Sequence, residues 1–173
     1  MKITKTFLKR ENACSEGYAW FLSCGETDHE LVIAKLIAEE HEDWANWCIV
    51  RLMTHKQRIM YAIYAAEQVI DIFEKAYPND DRPRKAIEAA RKYSKYSTKE
   101  NQSAARSAAY AADAAADAAD AADAAYAAYA AARSAYSAAY LDRSAADAAA
   151  NAARSAADAV ALKTIIEYGL SIL

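Results

Sequence analysis

Between His55 and Ala76 the apolar positions Ile59, Ile63, Ala66, Ile70 and Phe73 recur at spacings of 4, 3, 4 and 3. At 3.6 residues per turn this repeat lays one stripe along a helix, and it predicts a single helix over 55–76. The rest of the chain reads as helical too. Ile3, Phe7 and Leu8 share a face of a short helix over 3–10, and Tyr18, Trp20, Phe21 and Leu22 belong to another over 15–23, with Ser15 placed to cap it. Asp28 is placed to cap a helix from His29 to about Glu40, with Leu31, Ala34, Ile37 and Ala38 as its stripe. From about Asp43 a further helix sets Trp44, Trp47, Cys48 and Arg51 on one side. Tyr77-Pro78-Asn79-Asp80-Asp81 then breaks the pattern, because proline disfavours a helical residue before it and Asn and Asp support turns. Pro83 suits the first turn of a helix from Arg84 to about Lys95. Ser97 and Glu100 have capping-box spacing and predict a helix start near there.

From Ser103 to Ala161, 34 of 59 residues are alanine. One helix of that length would run roughly 90 Å at 1.5 Å per residue, far beyond a domain of this size, so the tract must fold back. Arg106, Asp113 and Asp120 keep one heptad phase, and Tyr126, Arg133, Tyr140, Asp147 and Arg154 keep another. The phase slips through Asp120, Asp123, Tyr126 and Tyr129, which places a hairpin there without glycine or proline to mark it. Alanine is the best helix former, and an alanine face lets two helices approach at the short end of the usual axis separation. Val160, Ile165, Ile166, Leu170 and Leu173 restore an ordinary apolar stripe at the end.

The expected fold is therefore all-α, a helical bundle with an alanine-rich, closely packed C-terminal helical hairpin. At 173 residues the chain suits one packed unit, with an N-terminal helical part over 1–97 and an alanine-rich part over 98–173. Three glycines and two prolines leave few positions for strand turns. The net charge of −3 argues against nucleic acid or a membrane surface as a partner of the whole chain. Cys14, Cys24 and Cys48 suggest neither disulfides nor a zinc site, and with no long uncharged apolar run the expectation is cytoplasmic.

Candidate chemistry is confined to the charged and aromatic residues. Asp113, Asp117, Asp120 and Asp123 share one side of a helix and read as a solvated face rather than a cation site, since carboxylates along a rod enclose no ion. Arg133, Tyr136, Tyr140, Arg143 and Arg154, with Arg106 and Tyr110, interrupt a tract where alanine would be the cheapest helix former. They could stack on and hydrogen-bond a partner. The alternative is internal pairing, Arg143 with Asp147 and Arg154 with Asp158 at i,i+4. Arg82, Arg84, Lys85, Arg91, Lys92, Lys95 and Lys99 form a basic stretch that reads as bridging to the acidic stripe or facing water, with Arg82 and Arg84 tying the Pro78 turn to nearby carboxylates. Trp44 and Trp47 read as core. His29, His41 and His55 form no HExxH, no serine sits in a G-x-S-x-G elbow, and no glycine-rich phosphate loop is present, so no catalytic residue, metal or cofactor is expected.

The stretch Ala65-Ala66-Glu67-Gln68-Val69-Ile70-Asp71-Ile72-Phe73-Glu74, followed by Tyr77-Pro78 and by Asp81-Arg82-Pro83-Arg84-Lys85-Ala86-Ile87-Glu88-Ala89-Ala90, resembles the helical Imm5-like immunity-protein family. An alanine-rich helical half follows in that family as it does here. The chain departs in carrying Asp, Tyr, Ser and Arg in its repeat in place of histidine and glycine. The resemblance implies an α-helical fold and a role in neutralising a toxin or in conflict between bacteria and phages; it implies no defined site. The leading expectation is a non-enzymatic immunity or counter-defence protein that binds a protein toxin or host effector through some of Arg82, Arg84, Arg106, Tyr110, Arg133, Tyr136, Tyr140, Arg143 and Arg154. The second is a protein that sequesters a nucleotide-like small molecule in a Tyr/Arg/Ser-lined groove. Assembly into a homo-oligomer is left open.

Overall fold

The computed structural model describes residues 1–140, 143–156 and 159–173. Among the described residues there are eleven helices and no strand; Lys2 and Asp28 form an isolated backbone bridge. No described helix is long and apolar enough to cross a membrane.

The N-terminal helices are α1 (Lys5–Arg10), α2 (Ser15–Cys24), α3 (His29–Ala38) and α4 (Glu42–Leu52). Asp28 caps α3 as expected, accepting from the backbone N–H groups of Glu30 and Leu31. The cap of α2 is Cys14 rather than Ser15: its Sγ accepts from Gly17 N, and Ser15 is already helical. On α3 the buried stripe is His29, Val32, Ile33 and Leu36, not the stripe containing Leu31, which is 53% exposed. Both faces of this segment are apolar enough to bury, and packing on α4 decided which one faces in.

The expected helix over 55–76 is two helices, α5 (His55–Glu67) and α6 (Ile70–Ala76). The chain bends at Val69, whose φ of −128° and ψ of −7° leave the helical region, while Ile59, Ile63, Ile70 and Phe73 all stay buried. No glycine or proline marks this bend; fully buried Val69 makes it a packing decision. Thr54 and Gln57 close a capping box at the start of α5. After the Pro78 turn, α7 runs over Arg82–Lys95 with Pro83 in its first turn. Thr98 caps α8 (Lys99–Asp117), one residue beyond the expected Ser97, whose hydroxyl donates to Tyr93 O instead.

The alanine tract folds into α8, α9 (Ala122–Tyr140) and α10 (Arg143–Ala156), and α11 (Ala159–Ser171) closes the chain. The fold-back lies at 118–121, at the start of the expected phase slip, so Tyr126 and Tyr129 are helical. Side-chain partners show α8 and α9 to be antiparallel: Tyr110 meets Tyr140, Asp113 meets Arg133, and Asp117 meets Tyr129. α9 packs against α5, α6, α7, α8 and α10. Its alanines make this possible, because Ala124, Ala127, Ala128, Ala130, Ala131, Ala132, Ala135, Ala138 and Ala139 are buried and hold no neighbour away. The large apolar side chains, among them Ile49, Ile59, Phe73, Ile87, Leu162 and Ile165, join much of this helix in the main core, while Ala132 and Ala135 pack with Ala86, Ala109 and Ala112 in a smaller cluster.

Candidate functional site

The antiparallel α8–α9 hairpin brings five of the nine expected site residues together. Arg106 and Tyr110 on α8 lie one turn apart, as do Arg133, Tyr136 and Tyr140 on α9. The Tyr110 and Tyr140 hydroxyls are 3.0 Å apart. Tyr136 meets Tyr110 edge-on with centroids 5.6 Å apart and lies 5.7 Å from Tyr140. The Arg106 guanidinium sits 4.9 Å from the Tyr140 ring centroid, and Arg133 sits 4.8 Å from that of Tyr136. Such contacts are worth about 0.5–1 kcal/mol where exposed.

Arg133 donates to Asp113 Oδ1 at 3.3 Å. Among the described residues no carboxylate lies within ion-pairing distance of Arg106. Tyr110 is 56% exposed and Tyr140 43%. The hydrogen bond to Tyr140 raises the pKa of the Tyr110 phenol, and burial followed by a hydrogen bond to Asp113 raises that of Tyr136, so both stay protonated at neutral pH. The patch thus offers guanidinium and phenol donors to an acceptor outside the chain, over the closed alanine seam of Ala105, Ala109, Ala112 and Ala135.

The remaining expected residues lie elsewhere. Arg82 donates to Asp80 through Nε and Nη2, and Arg84 forks onto Glu74 with both N···O distances at 2.7 Å and Asp71 at 3.7 Å. These contacts tie α7 to the Pro78 turn and to α6, and hydrogen bonding to the guanidinium groups lowers the pKa of both Asp80 and Glu74. Lys85 pairs with Asp81 and Arg91 with Glu67. None of these bridges to the acidic stripe. Arg154 pairs with Asp43 of α4 at 2.9 Å. The side chain of Arg143, and Asp158, lie outside the described residues. The acidic stripe is not one free solvated face: Asp113 and Asp117 are engaged by Arg133 and Tyr129, and Asp120 and Asp123 are exposed with no side-chain partner among the described residues.

Two features escape a reading of the sequence. Asp147, whose expected pairing with Arg143 lies outside the described residues, accepts from Asn46 Nδ2 at 3.0 Å and Arg51 at 2.9 Å, and Tyr61 OH donates to Asn46 Oδ1 at 2.6 Å. Burial pushes the pKa of Asp147 up, the Arg51 contact only partly offsetting it, and burial pushes the neighbouring Cys48 thiol up to about 12, which leaves it inert at neutral pH. These two partners of Asp147 lie about a hundred positions away and leave no periodic trace. Trp44 and Trp47, expected as core, are half-buried: they pack against the core on one side and line a cleft on the other.

Over residues 48–167 the sequence matches the model of the family described as Imm-5 like putative immunity protein. The chain belongs to this family. No curated protein and no solved structure gives a significant match to it. The α8–α9 patch, Asp147 and the Pro78 turn lie inside the Imm-5 like region, whereas Trp20, Trp44 and Trp47 precede it.

Proposed function

We propose that this Imm-5 like protein is a non-enzymatic immunity or counter-defence protein that neutralises a protein toxin or effector by binding it through the α8–α9 patch. Family membership supports the class of function. The convergence of Arg106, Tyr110, Arg133, Tyr136 and Tyr140 on one exposed face carries the choice of site. Tyrosine and arginine are enriched among the residues that dominate the energetics of protein interfaces, tyrosine through large contact area at low cost in rotamer entropy and arginine through charge-assisted bonds. The guanidinium of Arg106, beside three phenols and with no carboxylate partner among the described residues, fits an acidic patch on the partner.

The test is growth rescue on co-expression with candidate toxins, together with titration of the purified protein with any toxin it protects against. The double variant Arg106→Ala, Tyr140→Ala is expected to fold, to weaken the complex at least 100-fold and to lose protection. A folded variant that still protects places recognition elsewhere, with the Arg82–Lys99 stretch next to be substituted. A rise in melting temperature with nucleotides, and no complex with the toxin, favours sequestration of a small molecule instead.

A further inference from the structure

We infer that a second site, the tryptophan-walled cleft formed by α1 to α4, binds a small organic cation with an aromatic or aliphatic body. The cleft has a volume of about 330 Å³, at the lower end of the range for small-ligand pockets. The chain has three tryptophans, and all three, Trp20, Trp44 and Trp47, stand in its wall with Phe21 and Cys14. A core would enclose side chains of this size, yet here they flank space.

Each tryptophan is held from a neighbour's side. Trp20 Nε1 donates to Glu39 Oε2 at 2.6 Å, Trp44 stacks on His41 with centroids 4.2 Å apart, and the Arg51 guanidinium covers one face of Trp47 at 4.0 Å. These contacts fix the rings before any ligand arrives, which lowers the ordering cost of binding. The electrostatics then choose the sign of the ligand. The face of an indole ring is electronegative, and Asp43 is the only charged residue in the lining among the described residues. Its carboxylate is 57% exposed and is held by Arg154 at 2.9 Å, so the chain already seats one tethered cation at the rim. An incoming ammonium would take the place of that guanidinium on Asp43 while its body rests on the rings. The site is separate from the α8–α9 patch and does not depend on the function proposed for it.

Three probes of one shape and different charge test this: phenethylamine, 2-phenylethanol and 3-phenylpropanoate, titrated into the full chain by calorimetry and by fluorescence of the tryptophans themselves. The amine is expected to bind about tenfold tighter than the alcohol, and the acid weakest. Asp43→Asn should erase the advantage of the amine and leave the alcohol unchanged. Arg154→Ala should strengthen the amine severalfold by removing its competitor. An exposed ion pair contributes little to stability, so both variants should melt close to the parent; because the two act in opposite directions, either one alone decides the outcome if the other misfolds. Equal affinity for amine and alcohol, no effect of the variants, or no saturable change with any probe up to about 10 mM overturns the inference.

Discussion

Arg51 on α4 donates to Asp147 on α10 at 2.9 Å, across 96 positions of sequence, and Asn46 completes the grip on the carboxylate. The contact joins the N-terminal helices to the alanine tract in a mostly buried setting. Asp147→Ala strands the Arg51 guanidinium and the Asn46 amide, and should cost on the order of 3 kcal/mol in urea unfolding. Asp147→Asn keeps hydrogen-bonding groups in place and should cost less. Equal stability of all three proteins would show that water already satisfies the network.

Gly169 on α11 has no room for a side chain. A Cβ there would meet Tyr61 Cε2 at 2.7 Å and Ile49 Cγ2 at 2.9 Å. Tyr61 is fully buried and hydrogen-bonded to Asn46, so its ring cannot step aside freely. Gly169→Ala should therefore destabilise by about 1–3 kcal/mol despite the better helix propensity of alanine, read from the thermal midpoint.

Ala149 and Ala153 are fully buried, whereas Ala104 is exposed. Leucine at either buried position should cost about 1–3 kcal/mol, because the helices around it approach closely and the backbone would have to move. Ala104→Leu should lie within about 0.5 kcal/mol of the parent. A melting curve unchanged at both buried sites would contradict the close packing of the tract.

The Pro78 turn carries an acid-sensitive element. The pKa of Glu74 and of Asp80 is lowered in the folded protein by bonds to Arg84 and Arg82. Their contribution is complete above the ordinary carboxylate range, and it is lost as pH falls through the depressed folded-state values. Glu74→Gln with Asp80→Asn should flatten the acid limb of stability measured by urea unfolding against pH. Both carboxylates are partly exposed, so added salt should shrink the difference.

Much of the local structure was legible in the chain. Asp28 as a cap, the stop at Pro78, and the return of the alanine tract near Asp120 all follow from residue chemistry acting within a turn or two. Arg106, Tyr110, Arg133, Tyr136 and Tyr140 stood out as exceptions in a field of alanine, and antiparallel pairing placed them together. The bend at Val69 and the inward face of α3 did not show, since each depended on which apolar surface found the better partner.

What the sequence determined by itself is that these segments are helices, and where most of them start and stop, because propensity, capping and the 3.6-residue period are local properties. What only the tertiary structure decided is which charge meets which. Asp147 turned to Arg51 and Asn46, Arg154 to Asp43, and the tryptophans to an open cleft. The physical reason lies in the alanine tract. Its surface is nearly the same on every side, so it imposes close approach without specifying a neighbour, and the choice of neighbour fell to the large side chains packed around it.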